Sequence, residues 1–496
     1  MVGAQLGRLR QHWPLCIVVA IGGLVRLLTM VAYAPALLFP DSWGYIATGL
    51  SGSFVGLPAS HPAGYPLLIR LLTVPNRSLL ELVACQHLAG IGAGVAVYAA
   101  LRRARVPRWG ATGAAALVLL DGYAITLEQY VMSDTFFGVT LLAAALLLAW
   151  PRLTAGARVT GSIEADAVSP GGRIWIRALI CGLLLAFASL EREAAPFTVP
   201  VFLIYLTWIR AGSRALVAFI LAVAVPLLAY SAAVDAKYGV FGLTATPGWT
   251  LYGRVGAFAD CNGVKLEPAA RPLCESGTQR ASHPSAPDWY IWGPSPAQRL
   301  FKPARESRSS VGSTNAILSS FSDTILRHQP LAFADATLSD FVRYFAPDAT
   351  AYGDAISATS LPLNAGAEAT DPATLRRDLP GLRPVVRSPA GLVRRYRSVV
   401  HLPRPALALL ALAALLALLA RVPGRREILL LAGTGAGLLL GTAATGGFAL
   451  RYLVPAVPLL AVGGSIAVTQ LATRVRRPGV SGAGPPGGNK SATMDT

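Results

Sequence analysis

The chain has 496 residues, of which 53% are hydrophobic and only 14% charged, with a formal net charge of +18. About a quarter of the residues in a soluble domain are charged, so this balance excludes an ordinary water-soluble enzyme and points to the bilayer. The positive charge does not describe a nucleic-acid binder either. It sits mainly in short gaps between apolar runs, such as RRARVPR at 102–108, RVPGRR at 421–426 and RVRR at 474–477, where basic residues mark the cytoplasmic side of a membrane protein.

About 20 apolar residues cross the hydrocarbon core. On that measure the sequence predicts about ten spans, near 14–36, 79–101, 109–127, 134–151, 175–190, 193–210, 214–234, 404–421, 427–445 and 450–472. The expected fold class is therefore all-α and polytopic. The basic start MVGAQLGRLRQHW runs into apolar sequence that continues past position 30 without a small-residue cleavage site. It reads as a retained first helix rather than a signal peptide.

Four regions are expected: a transmembrane module over 1–234, an extracytoplasmic segment of mixed or helical structure over 235–403, further membrane helices over 404–477, and a Gly/Pro/Ser-rich disordered cytoplasmic tail over 478–496. With the N-terminus inside, the basic gaps at 102–108, 152–177, 210–214 and 421–426 all fall on the cytoplasmic side. The gaps at 37–78, 128–133, 191–193 and 235–403 and the approach to Arg451 then fall outside. Arg394, Arg395 and Arg397 depart from this charge pattern, but long loops translocate largely regardless of charge. The expected location is the inner or plasma membrane, with both termini cytoplasmic.

Cys16, Cys85 and Cys181 lie within predicted helices and read as small buried hydrophobes. Cys261 and Cys274, in DCNGVKLEPAARPLCE, lie in the external segment. An oxidising compartment there favours a disulfide between them over two free thiols.

Under this topology the acids gather at one level. Asp41 follows the first helix in FPDSWGYIATGL, Glu128 and Asp134 flank a turn in LEQYVMSD, and Glu191 and Glu193 border the turn EREAAP. Any one could be a solvated loop residue, but their recurrence in the first three external turns suggests a site. Arg192 and Arg451 join them. Each could snorkel to lipid headgroups, or its planar donor fork could hold a phosphate. Carboxylates beside arginines at a membrane surface suit a reaction on a phosphorylated lipid, with one acid removing a proton from an acceptor hydroxyl.

Other residues leave alternatives open. Gln86 and His87 either bond a neighbouring helix or line a ligand cavity. Asp121 either lines a cavity or marks a helix end. Trp249, Tyr252, Trp289, Tyr290 and Trp292 either stack on sugars or anchor the external segment at the interface. There is no zinc spacing, Walker loop or G-x-G-x-x-G opening a helix. The absence of an evident internal repeat counts modestly against a transporter of two inverted halves.

DSWGY at 41–45, HPAGYPLLIRLL at 61–72, LEQYVMSD at 127–134, EREA at 191–194 and RYLVPAVPLL at 451–460 together resemble the integral-membrane GT-C glycosyltransferases. The group concerned contains the protein O-mannosyltransferases and lipid A aminoarabinose transferases. The resemblance covers the first ~210 residues and the last helix, by motif order and placement rather than by any one motif. LYGRVGAFADC at 251–261 is similar to segments of actinobacterial glycosyltransferases.

The resemblance implies a sugar donor on polyprenyl phosphate, transfer outside the membrane with inversion, and Asp41, in a D-x-x-x-Y context with Tyr45, as the catalytic base or an acceptor-positioning residue. By the same resemblance Glu128 and Asp134 are secondary acids, and Arg192, Arg451 and Tyr452 meet the donor phosphate. His61 and Tyr65 then border the lipid-carrier cavity, with Glu191 and Glu193 as further candidates. Many relatives place a second acid beside the first, whereas Ser42 follows Asp41 here. One carboxylate and a hydroxyl make a poor hard-cation site, which counts against metal coordination by that loop; no cofactor is established and a divalent cation is left open. Mannose and arabinose both fit as the sugar, and glycan, lipid or protein as the acceptor. The competing readings are a transporter or flippase of lipid-linked glycans and a non-catalytic envelope assembly factor.

Overall fold

A computed structural model describes residues 2–51, 57–73, 78–153, 173–301, 308–347 and 386–475, with side chains from His12 onward. The expected tail over 478–496 lies outside the described residues. Among the described residues the chain is helical and forms no strand; one isolated bridge joins Leu37 to Tyr130.

Each of the ten predicted spans coincides with helix. Among the described residues six stretches are long and apolar enough to cross a membrane: His12–Ala32, Leu80–Arg103, Ile174–Glu191, Ser213–Tyr238, Arg425–Thr445 and Leu450–Val475. Two bent pairs, Arg108–Leu119 with Gly122–Gln129 and Ala390–Val399 with Arg404–Leu419, bring the number to as many as eight. The two remaining segments, Asp134–Ala149 and Ala195–Trp208, are apolar but shorter than the criterion. The protein is thus an all-α, multi-pass membrane protein.

In chain order the elements that position the site are α1 (Val2–Ala32), α2 (Pro40–Leu50), α3 (Gly64–Thr73), α4 (Leu80–Arg103), α5 (Arg108–Leu119), α6 (Gly122–Gln129), α7 (Asp134–Ala149), α8 (Ile174–Glu191), α9 (Val199–Trp208) and α10 (Ser213–Tyr238). One large buried cluster unites most of them with the C-terminal helices, running from Ala32 and Leu101 through Leu141, Leu185 and Phe219 to Leu439 and Leu460. Many Leu, Ile and Val side chains, among them Leu24, Leu27, Ile180 and Leu221, stay exposed on the outer surface of these helices. Lipid covers such side chains as well as protein does, so the usual inside-out rule is relaxed.

The two ends of the bundle differ in chemistry. At the basic end α4, α9 and the Arg404–Leu419 helix each close with an arginine in the left-handed conformation: Arg105, Arg210 and Arg421. In all three the next amide reaches back to the first carbonyl of the turn, as in Val106 N–H to Leu101 O at 2.9 Å. Glycine is the usual residue at this position, and an arginine there accepts a strained backbone while placing its charge at the helix C-terminus, where cations are favoured.

At the opposite end the stretch expected as loop 37–78 contains α2 and α3. Pro40 opens α2 at the position whose N–H needs no partner, and the Ser42 hydroxyl accepts from Phe39 N–H at 2.8 Å. The same hydroxyl donates to Val131 O at 2.9 Å, and Val131 N–H donates to Leu37 O at 3.0 Å, which ties this segment to the turn before α7. α3 fits against α8 because residue 64 is glycine: a Cβ there would strike the Leu190 carbonyl.

The segment between α10 and the C-terminal helices adds α11 (Pro247–Gly256), α12 (Gly277–Ala281), α13 (Pro287–Trp292), α14 (Pro296–Leu300), α15 (Arg308–His328) and α16 (Pro330–Arg343). It has its own core of Tyr252, Val255, Trp289, Tyr290, Leu318, Phe321 and Ile325. Tyr252, Trp289 and Tyr290 therefore fill this core and are available neither for stacking on a sugar nor for anchoring at the interface. Trp292 stays exposed. A disulfide joins Cys261 to Cys274, as expected.

Candidate active site

Four charged residues that the sequence placed at one level meet at the end of the bundle away from the basic turns. Arg451, in a 3-10 turn over Leu450–Ala456, donates from Nη1 to Asp41 Oδ2 at 2.8 Å. Arg192, at the C-terminal cap of α8, forms an ion pair with Asp134. The Tyr452 ring links the pairs: the Arg192 guanidinium lies 4.9 Å from its centroid and that of Arg451 5.2 Å. Phe39 also faces Arg451, at 5.2 Å.

Helix geometry supports three of the four charges. Asp41 and Asp134 occupy the first turns of α2 and α7, where the helix dipole favours anions, and Arg192 stands at a C-terminus, where it favours cations. Asp134 is fully buried, and its Oδ2 makes no hydrogen bond.

Around this core Tyr45 stacks on His61 at 4.4 Å between centroids and meets Tyr65 edge-on at 5.0 Å. Tyr65 donates to Gln86 Oε1 at 2.7 Å. Burial pushes the Tyr45 phenol up to about 12, so it stays neutral and can donate a hydrogen bond. Burial also raises Asp41, but Arg451, His61 and Arg192 together outweigh it and hold the carboxyl below its ordinary range. His61 is held below its ordinary value by burial, against the pull of Asp41. At neutral pH Asp41 is therefore an ionised carboxylate paired with the Arg451 guanidinium, beside the Arg192–Asp134 pair and a neutral imidazole.

Three predicted site residues stand apart from these pairs. Glu128 is 4% exposed and belongs to a buried network with Arg26 and His87, with Arg26 Nε and Nη2 each 2.7 Å from its carboxylate. Glu191 is fully buried at the end of α8, and neither of its carboxylate oxygens makes a hydrogen bond. Glu193 is half-buried, and burial raises it in spite of Thr244 and Arg192.

Gln86 and His87 bond neighbouring helical segments. The Gln86 amide donates to Glu128 O and Tyr130 O, and His87 contacts Glu128 and Gln129. Asp121 marks a helix end: its carboxylate accepts from Tyr123 and Ala124 N–H and caps α6 at the break after α5.

Sequence reasoning missed Arg26, whose only local signal is a lone charge in the apolar first helix. It also missed Ser133, whose hydroxyl lies 3.4 Å from that of Tyr45. Among the described residues no group of three or more His, Cys, Asp or Glu is arranged to hold a metal ion.

No protein-family model matches the chain, and no curated protein matches it. Two kinds of solved structure are similar in part. The oligosaccharyltransferase AglB of Archaeoglobus fulgidus, in complex with an inhibitory peptide and a dolichol-phosphate, overlaps with a TM-score of 0.43 at 15% identity, over 94% of this chain and 51% of that one. ArnT from Cupriavidus metallidurans bound to undecaprenyl phosphate overlaps with a TM-score of 0.31 at 14% identity, over 93% of this chain and 79% of that one. The chain thus spans about half the length of the archaeal enzyme, and at these scores neither overlap identifies a fold.

Proposed function

We propose that the chain is a GT-C-type membrane glycosyltransferase that moves a sugar from a polyprenyl-phosphate donor to an acceptor on the extracytoplasmic side. The observation that carries this reading is the Asp41–Arg451 pair with Arg192 beside it across Tyr452. It offers one ionised carboxylate and two donor forks at the end of a helical bundle. The order of the DSWGY, LEQYVMSD, EREA and RYLVPAVPLL segments supports it as a resemblance.

In this mechanism the donor phosphate binds Arg192 and Arg451, which recognise it by charge-assisted hydrogen bonds. Its negative charge then offsets the field of Arg451 on Asp41, and the carboxylate becomes more basic as the substrate arrives. Asp41 accepts the proton of the acceptor hydroxyl, and that oxygen bonds to the anomeric carbon. The bond from that carbon to the phosphate oxygen breaks, its electron pair leaves with the polyprenyl phosphate, and configuration inverts. The arginines stabilise the charge gathering on the leaving oxygen. The chemistry uses no nucleophilic side chain and leaves a divalent cation open, and the sugar, whether mannose, arabinose or another, is not set by these residues.

The test is transfer of radiolabelled sugar from polyprenyl-phosphate donors to membrane acceptors, with Asp41→Asn compared against wild type at equal expression. Lost transfer with donor binding intact supports the reading. Unchanged transfer removes Asp41 from the mechanism. Failure of the wild type with every donor would favour a carrier of lipid-linked glycans.

A further inference from the structure

A cavity of about 390 Å³ lies between the external segment and the bundle, within the size range of small-molecule sites. It is lined by Arg254 of α11, Asp288 of α13, Asp335, Asp340 and Arg343 of α16, and Phe448 before the Arg451 turn. The residue before Phe448 is Gly447, at φ +77°, and a Cβ there would press on Pro287. The left-handed glycine thus lets the two walls meet.

Arg254 carries the observation that points to a ligand. It is 2% exposed, and its Nη1 is paired with Asp340 Oδ2 at 2.5 Å. Its Nε and Nη2 are buried and make no hydrogen bond. A guanidinium held by one corner with its other donors unmet is costly unless something accepts from them.

The lining chemistry limits what that is. Two arginines face three aspartates, so the wall lacks the excess of positive charge that a phosphate would need. Asp340 is already engaged by Arg254 and Arg343. Carboxylates that only accept, a guanidinium that only donates, and prolines and phenylalanines between them match a polyol that presents hydroxyls around an apolar ring face. Gly446 also lines the cavity, and a Cβ there would lie 3.7 Å from the Tyr452 ring, so the cavity adjoins the candidate active site.

We propose that this cavity is the acceptor subsite and that it takes the polyhydroxylated end of a neutral glycan, with Arg254 donating to it and Asp335 accepting from it. The proposal rests on the glycosyltransferase reading of the adjoining centre. The full chain in lipid nanodiscs is titrated with octyl glycosides of a mannose or an arabinose disaccharide, and with a Ser/Thr-rich peptide, while ligand-observed magnetic resonance reads binding. Arg254→Lys keeps a cation for Asp340 and removes the free donor edge. Asp335→Asn changes an exposed lining residue and keeps the test valid if the buried variant fails to fold.

Binding of a glycoside by wild type, weakened about tenfold or more in the folded variants while polyprenyl-phosphate binding holds, is the expected result. No glycoside binding by wild type, undiminished binding by Asp335→Asn, or preference for the peptide overturns the proposal. Glycoside binding that the variants lose, in a chain that transfers sugar from no donor, upholds the subsite and sinks the glycosyltransferase reading. Transfer to an acceptor with undiminished glycoside binding in both variants does the reverse.

Discussion

Arg26 of α1 grips Glu128 of α6 with two parallel hydrogen bonds of 2.7 Å across 102 positions of sequence. His87 adds a third contact to the same carboxylate at 2.7 Å, and Arg26 also donates to Leu119 O at 2.7 Å. The pair is buried on both sides and fastens the first helix to the bent α5–α6 span. Gly90 makes room for it, because a Cβ at that position would overlap the Glu128 carboxylate.

Breaking this pair on one side leaves an uncompensated buried charge, which costs about 3–5 kcal/mol. Arg26→Met and Glu128→Leu singly are expected to lose that much in detergent unfolding experiments, and the double variant to regain a large part of it. Gly90→Ala should destabilise by about 1–3 kcal/mol through overpacking. A Glu128→Gln protein of unchanged stability but without transfer activity would instead restore Glu128 as a reacting acid.

Tyr452 serves both guanidiniums, so its loss should act on donor recognition more than on the proton transfer. Each cation–π contact is worth about 0.5–2 kcal/mol, and Tyr452→Leu is expected to raise the donor KM by about tenfold with a smaller change in kcat. Arg451→Gln removes both a proposed partner of the donor phosphate and the partner of Asp41. It should lower kcat/KM by about 10²–10³. Steady-state kinetics with one polyprenyl-phosphate donor separates these effects, and equal KM values for wild type and Tyr452→Leu would remove the ring from donor binding.

The pH dependence follows from the same pair. The folded pKa of Asp41 lies below its unfolded value of about 3.9. Between those two values the unfolded chain holds a proton that the folded chain does not, so stability rises with pH there. The contribution is complete above the unfolded pKa and is lost as pH falls toward the folded one. Wild-type transfer should therefore show no acid limb from Asp41 across neutral pH. In Arg451→Gln the burial that raises Asp41 loses its main opponent, and an acid limb should move toward neutrality. A residual rate in that variant with an unshifted profile would show that Asp41 is not the group titrating.

The spans were legible because the apolar runs and their short basic gaps are written locally in the sequence. The convergence of Asp41, Asp134, Arg192 and Arg451 was legible only as a common level, since an alternating bundle brings every second turn to one face. Their actual pairing, Asp41 with Arg451 and Arg192 with Asp134, depends on packing between distant helices. The same limit hid the pairing of Glu128 with Arg26, which lies in another helix. Residues 37–78 read as a loop because Pro, Gly and Ser interrupt them, yet Pro40 and Ser42 are start signals for α2. The aromatics of the segment between α10 and the C-terminal helices misled for a related reason. Tyr252, Trp289 and Tyr290 look like a binding or interface cluster in sequence, and only the docking of α11, α13 and α15 shows that they are a core.

The disulfide offers a test of orientation as well as stability. Cys261 and Cys274 close a loop with a separation of 13 residues and pack beside the core around Tyr252 and Phe321. A crosslink of that length constrains the unfolded segment by about 2–4 kcal/mol. Cys261→Ser with Cys274→Ser should therefore leave the membrane helices intact while making residues 247–343 more sensitive to limited proteolysis. Whether the bond forms in the cell depends on the compartment the segment faces. Maleimide labelling of membranes should modify Cys261 and Cys274 only after reduction if the segment and the adjoining Asp41 centre face the oxidising side. Labelling of both thiols without reductant would place the segment on the cytoplasmic side, and the proposed extracytoplasmic reaction would fall with it.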